Sequence, residues 1–337
     1  MRGPPLSPGP VEAGARAIAA RHLDAAQQAL VRLANGAEDP EALHDFRVAL
    51  RLLRSCMRAY RAHLDAQATP VALERTRDLA SRTGAARDAE VQVAWLERQR
   101  EVRPARRAAV ELMTRDLAAL VERALRATHA GLERDFAALV GELAPALASY
   151  SARISLQGPP EGRSFGAVSA ELVREAAQHL LLALAHVRTE RDEEPAHRAR
   201  IEAKRLRYLL EPLAAEVRVV GHAIRRMRWL QDLLGELNDL RVLRVTLARA
   251  LETAVLAHAQ RRLVEIETGA PDAAHAAADR DAEAGLLSLA RTARARRGTL
   301  FARLAAQWLA DASPQRLALA AEIDAVTARL AKGTPAR

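Results

Sequence analysis

Two runs of cationic side chains recur in this chain at helical spacing. The first is His44, Arg47, Arg51, Arg54 and Arg58. The second is His197, Arg200, Lys204 and Arg207, with Arg205 beside it. On a helix with His44 at zero, Arg47, Arg51, Arg54 and Arg58 fall at about 300°, 340°, 280° and 320°. All five therefore share roughly 80° of arc along about 21 Å of helix. Leu43, Phe46, Leu50, Leu53 and Met57 fall beside them, between about 180° and 260°, so an apolar face adjoins the cationic row. A guanidinium offers a planar fork of donors that grips phosphate bidentately. A row of them, one per helical turn, suits a linear polyanion.

Like charges four residues apart repel and cost a helix a few tenths of a kcal/mol per pair. A helix built for stability alone would mix glutamate into such a row. The second run does so in part, with Glu202 and Glu211; the first has only Asp45, which lies off the row. Tolerated repulsion points to an anion that relieves it. The bland alternative is a solvated basic face on an arginine-rich helix, and duplication of the run weighs against it. Each histidine opens its run. One reading makes it a phosphate donor or a pH-dependent grip; the other makes it a half-buried ring bonded to a carbonyl or carboxylate. No second His or Cys stands at zinc-ligand spacing beside either, so no metal site is expected.

The elements that must position these runs are helices. Half of the 337 residues are apolar and only 3% are aromatic; the apolar set is mostly Ala and Leu, which favour helix over strand. Leu206, Leu209, Leu210 and Leu213 repeat the helical spacing of the first run. Residues 1–10 are Pro/Gly-rich and are expected to be disordered. Gly158, Pro159, Pro160 and Gly162 mark a linker at 155–164, dividing a first helical bundle at 11–154 from a second at 165–332. Shorter breaks at Asn35-Gly36 to Pro40, Ala68 to Pro70, Gly84, Pro104, Pro195, Gly235, Gly269 to Pro271 and Ser313-Pro314 give about six helices per half. Ser313 reads as an N-cap before Pro314.

The halves match each other. His-x-x-Arg-x-x-x-basic-x-x-Arg occurs at His44 and again at His197, offset by 153 residues, and Gly84-Ala85-Ala86-Arg87-Asp88 matches Gly235-Glu236-Leu237-Asn238-Asp239 at an offset of 151. Two ordered matches at nearly one offset indicate an internal duplication. The expected fold is all-α: two helical bundles related by a pseudo-two-fold axis. Gly84 and Gly235 read as helix stops, with Asp88 and Asp239 as N-cap or first-turn carboxylates. Trp95, Trp229 and Trp308 read as core.

The formal net charge is +9, which favours polyanionic partners without bearing on the fold. Only Lys204 and Lys332 are lysines, leaving 49 arginines. A GC-rich coding bias explains much of that total, so placement rather than number carries the chemical inference. Cys56 is the sole cysteine and excludes an internal disulfide. Met1–Pro10 has no apolar h-region, and the longest apolar stretch, His179–Val187, is far short of a membrane span; a cytoplasmic protein is expected. The chain contains no Walker A loop, dinucleotide fingerprint, HExxH or G-x-S-x-G. A binder without cofactor or catalytic residues is expected, not an enzyme.

The motifs resemble those of the CHAD family, α-helical domains named for their characteristic histidines. The second copy, His197-Arg198-Ala199-Arg200-Ile201-Glu202-Ala203-Lys204-Arg205-Leu206-Arg207-Tyr208, follows the family pattern closely. The first, His44-Asp45-Phe46-Arg47-Val48-Ala49-Leu50-Arg51-Leu52-Leu53-Arg54, departs at Leu52, where the pattern has Arg. The resemblance runs from about residue 12 to 330. It implies inorganic polyphosphate as the ligand, held by His44, Arg47, Arg51, Arg54, Arg58, His197, Arg200, Lys204, Arg205, Arg207 and Tyr208, with the second copy contributing more. It extends to a role at polyphosphate granules. The Glu-x-Glu-x-Lys strand of the triphosphate-processing domain that often adjoins the family is not found; the nearest string, Arg200 to Lys204, lies on a predicted helix. The competing readings are a nucleic-acid backbone binder, which has few aromatic platforms for single strands, and an enzyme acting on phosphate compounds, which lacks carboxylates at metal-site spacing.

Overall fold

The computed structural model describes residues 6–34, 40–64, 69–82, 84–99, 104–129, 131–148, 163–269 and 273–331. The α-helices are α1 (Val11–Ala34), α2 (Pro40–Ala59), α3 (Thr69–Arg82), α4 (Gly84–Arg98), α5 (Pro104–His129), α6 (Leu132–Ala148), α7 (Phe165–Ala185), α8 (Glu193–Leu210), α9 (Val220–Thr268), α10 (Ala273–Leu304) and α11 (Pro314–Ala331). Among the described residues no strand occurs, and extended pairing is limited to one bridge between Pro10 and Ser164. The fold is all-α, as the Ala/Leu composition requires.

Most predicted breaks become helix ends. Pro40, Gly84, Pro104 and Pro314 open helices, and Gly269 closes α9 in the left-handed region at φ 66°. Gly235 is the exception. It lies inside α9, which runs unbroken for 49 residues, so among the described residues the second half has five α-helices where the first has six. A helix-interior glycine costs only about 1 kcal/mol, and the buried Leu230, Leu233, Leu234 and Leu240 on either side hold the helix through it. Asp239 is therefore mid-helix and not a cap. Asp88 also lies beyond the first turn of α4, which holds no acidic residue. Ser313 occupies the cap position of α11, where its carbonyl accepts from Leu317 N–H, but its buried hydroxyl has no hydrogen-bond partner among the described residues.

Part of the terminal segment expected to be disordered is tied down. Backbone N–H groups of Leu6 and Ser7 donate to the Glu216 carboxylate at 2.6 and 3.0 Å, and Phe165 N–H donates to the Gly9 carbonyl at 2.8 Å. Ser164 caps α7 by accepting from Ala167 N–H at 3.2 Å. Residues 1–5 and most of the predicted linker lie outside the described residues.

The apolar side of α2 is buried as the helical wheel requires. Phe46, Leu50, Leu53 and Met57 are fully covered, and Phe46 meets Phe136 of α6 edge-on at 5.1 Å. On α8, Ala199, Ala203, Leu206 and Leu210 are buried. One apolar core runs through both halves. Tyr60, just after α2, stacks on Phe165 of α7 at 5.3 Å and shares a 2.8 Å hydrogen bond with Ser169. Helix α5 lies against α10 so closely that a Cβ on Gly285 would meet the Ala105 carbonyl oxygen at 2.2 Å. Trp95 and Trp308 are buried, and half-buried Trp229 stacks on Trp308 at 6.0 Å. No helix of the described residues is long and apolar enough to cross a membrane.

Candidate functional site

The two cationic runs meet. Helix α2 packs against α8, α7 flanks α8, and α3 flanks α2. Between them lies an open groove of about 490 Å³, lined from α2 by Arg51, Arg54 and Arg58 and from α8 by Lys204, Arg205 and Tyr208. A second opening of about 440 Å³ continues past Arg54 and Arg58 to Arg61 and Arg77. Each helix buries its apolar side in the common core. The arc next to that side, where the sequence places the cations, is thereby turned toward the other helix.

The charges in the groove act on one another. Burial, then Arg58, Arg77 and Arg205, push the Arg54 guanidinium below its usual pKa. Burial is also the largest cause at Lys204, whose ammonium is pushed down to about 7, with Arg200, Arg51 and Arg207 adding repulsion and Asp239 opposing it. Arg51 and Arg200 each bury an Nε that has no hydrogen-bond partner among the described residues. Arg51, Arg54, Arg58, Lys204 and Arg205 line the groove against two carboxylates, Glu175 and Glu202, so its lining carries more cations than anions.

The excess is unevenly spread. On α8, Arg205 pairs with Glu202 at 2.5 Å, and Arg207 approaches Glu211 at 3.5 Å while lying over the Tyr208 ring at 5.0 Å. On α2, Asp45 is taken by Arg32 of α1, and Arg51, Arg54 and Arg58 have no carboxylate partner among the described residues. The family pattern favoured the second copy as the stronger half, yet the unpaired guanidinium groups belong mainly to the first.

The histidines differ. His197 is half-buried, and its Nδ1 meets Oδ1 of Asn238 on α9 at 3.2 Å. The amide oxygen can only accept, so Nδ1 donates, leaving Nε2 to accept or, once protonated, to donate. The same oxygen lies 3.4 Å from Nη2 of Arg241. His44 is exposed and outside the groove lining. The Gly235–Asp239 element therefore orients the histidine of the second run from mid-helix. Asp239 also lies near Arg200, Lys204 and Asp88; burial, which outweighs the cations, pushes its carboxyl up. The Asp residues of the two matched elements thus approach each other behind the cationic row.

Of the predicted residues, Arg51, Arg54, Arg58, Lys204, Arg205 and Tyr208 line the groove. Arg200 and Arg207 flank Lys204 closely enough to shift it. Arg47, half-buried on α2 with polar contacts of its own, His44 and His197 lie beyond the lining. Sequence reasoning missed Arg61 and Arg77, and also His179 and Glu175 of α7. Arg61 continues the spacing of the first run, three residues after Arg58, and could have been read from it; Arg77, His179 and Glu175 share no spacing with the two runs, and only tertiary packing brings them in. Leu52, the departure from the pattern, lies in a separate depression with His22 and Val48. Among the described residues no cluster of three His, Cys, Asp or Glu side chains could hold a metal ion. Cys56 is buried, and burial pushes its thiol up to about 12.

Paired helices joined along a cationic groove, inside an all-α framework, define the class. The chain belongs to the CHAD domain family, whose model matches residues 17–248. It is similar in fold to the crystal structure of the CHAD domain from the plant Ricinus communis, with a TM-score of 0.58 and 22% identity over 94% of this chain and 92% of that one. It is also similar to PptA from Streptomyces chartreusis, with a TM-score of 0.55 and 16% identity over 87% of this chain and 99% of that one. No curated protein matches the sequence.

Proposed function

We propose that the protein binds inorganic polyphosphate, without turning it over, in the groove between α2 and α8, and that the two cationic runs arose by internal duplication. The observation that carries this reading is the convergence of residues from both runs on one groove in which Arg51, Arg54 and Arg58 have no carboxylate partner among the described residues. A polyphosphate chain offers phosphates at short, regular intervals along a flexible backbone. It can follow the row of guanidinium groups and neutralise the repulsion among Arg54, Arg58, Arg77 and Arg205. Membership of the CHAD family supports polyphosphate as the polyanion. A role at polyphosphate granules in the cytoplasm extends the same proposal.

The test is competition between long-chain polyphosphate, duplex DNA and tripolyphosphate across a salt series. Long polyphosphate should displace both others, with affinity falling steeply as salt rises and counterion release loses its force. Equal or tighter DNA binding would make the protein a nucleic-acid backbone binder. Release of orthophosphate from any of these ligands would make it an enzyme. Replacing Arg47, Arg51, Arg200 and Lys204 together by Ala should abolish most of the affinity while circular dichroism stays helical.

A further inference from the structure

Lys204 is chemically singular. The chain holds 51 lysines and arginines, and all but Lys204 and Lys332 are arginine; Lys204 is the only lysine among the described residues. It occupies the middle of the cationic groove, where every other cation is a guanidinium. A guanidinium keeps its proton and is a poor nucleophile at neutral pH. A lysine amine can lose its proton and attack an acyl carbon.

The surroundings favour that chemistry. The Lys204 amine makes no hydrogen bond or ion pair with any described residue. Arg200 and Arg207 neighbour it on α8, Arg51 faces it from α2, and Asp239 is the carboxylate that acts on it from α9. Glu202 is engaged by Arg205, and His179 and Glu175 of α7 line the same groove. Burial and the three guanidinium groups push the ammonium down to about 7, so a large share of the amine is neutral at physiological pH. The same groups offer bidentate donors to a phosphate beside the amine.

We propose that Lys204 is an acyl acceptor, acylated by acyl phosphates whose phosphate is held by the guanidinium groups around it. This builds on the reading of the groove as a phosphate site and adds a means of regulating it. The neutral amine attacks the acyl carbon, a C–N bond forms, and the C–O bond to phosphorus's bridging oxygen breaks. Phosphate departs with the electron pair of that bond, and the amine proton passes to water or to the departing phosphate. The product amide is neutral, so one positive charge is lost from the middle of the groove and polyphosphate binds more weakly.

The test is to incubate the intact protein with acetyl phosphate at pH 7 and map acetylation by peptide mass spectrometry. Lys332 serves as the internal reference amine. An ordinary lysine is neutral only about once in two thousand molecules at pH 7, so Lys204 should be acetylated at least about tenfold faster than Lys332. Equal or slower modification of Lys204 overturns the proposal. A phosphate-free donor, the N-hydroxysuccinimide ester of acetic acid, should show a smaller preference for Lys204; an equal preference would overturn the part played by the guanidinium groups. Excess long-chain polyphosphate should protect Lys204. Rapid, selective acetylation by acetyl phosphate without such protection would uphold the acyl acceptor and reject polyphosphate as the occupant of the groove.

Discussion

Arg54 of α2 and Arg205 of α8 come from opposite halves of the chain, yet they line one groove and repel each other across it. Their situations differ. Arg205 is held by Glu202, whereas among the described residues the charges that act on Arg54 are the cations Arg58, Arg77 and Arg205 of α2, α3 and α8. A bound polyanion would interact with Arg54 without displacing any carboxylate. Replacing Arg54 by Ala should therefore weaken polyphosphate binding by about tenfold or more, as for loss of a charge-assisted hydrogen bond. Replacing Arg205 by Ala should cost only a few-fold, because its charge is already shared with the half-buried Glu202 carboxylate. Fluorescence polarisation with labelled polyphosphate measures both. A larger loss at Arg205 would mean that Glu202 releases it on binding.

Lys204 should give the site a pH dependence of known sign. Its pKa in the fold is pushed down to about 7, and a bound polyanion favours the ammonium form. Binding above that pH must therefore recruit a proton. Affinity should decline between pH 7 and 9, by at most about tenfold per pH unit for one proton. Stability of the free protein moves the other way. From pH 7 to about 10 the unfolded chain holds a proton at Lys204 that the folded chain has shed, so this residue's contribution to stability rises with pH. The Lys204→Arg variant should flatten both profiles over this window. Titrations of both proteins above pH 7.5 check the difference, and parallel profiles would contradict it.

Much of the fold was legible because α-helices announce themselves through period and composition. The apolar row from Phe46 to Met57 and the cationic row beside it both follow from 3.6-residue geometry, and the structure buries the first and brings Arg51, Arg54 and Arg58 of the second into a groove, leaving His44 and Arg47 outside it. Gly235 was misread because a glycine's preference for helix ends is worth about 1 kcal/mol, less than the packing of the leucines around it. Asp239 was misread with it, since a cap requires an end. Arg61 extends the first run by one more step of three and was legible but passed over, because α2 ends before it; Arg77 and His179 were invisible because each joins the site from another helix, through tertiary packing that leaves no spacing signal.

The continuous path of α9 through Gly235 has a direct consequence. A Cβ added there would meet nothing within 4 Å, and the backbone φ is not positive. Gly235→Ala should stabilise the protein by about 0.5–1 kcal/mol by removing unfolded-state freedom, seen as a rise of a few degrees in thermal midpoint. A loss of stability would mean that the helix bends or breaks there after all.

Gly285 should behave in the opposite sense. Its added Cβ would fall 2.2 Å from the Ala105 carbonyl oxygen and 2.8 Å from the Ala109 Cβ, both fixed parts of α5. Gly285→Ala must push α10 away from α5, at a cost of about 1–3 kcal/mol typical of overpacking. Chemical denaturation reports it, and an unchanged midpoint would show that the two helices separate freely.

Calorimetric stoichiometry tests most directly whether the two halves form one site. Arg51→Ala removes a cation from α2 and Lys204→Ala one from α8, and each would be titrated with a polyphosphate chain about as long as the groove. If both runs serve a single groove, each variant binds more weakly than the parent at the same stoichiometry, with one chain per protein. If the runs bind separately, the parent takes up two chains, and each variant loses one while holding the other at undiminished affinity. That second result would contradict the shared groove.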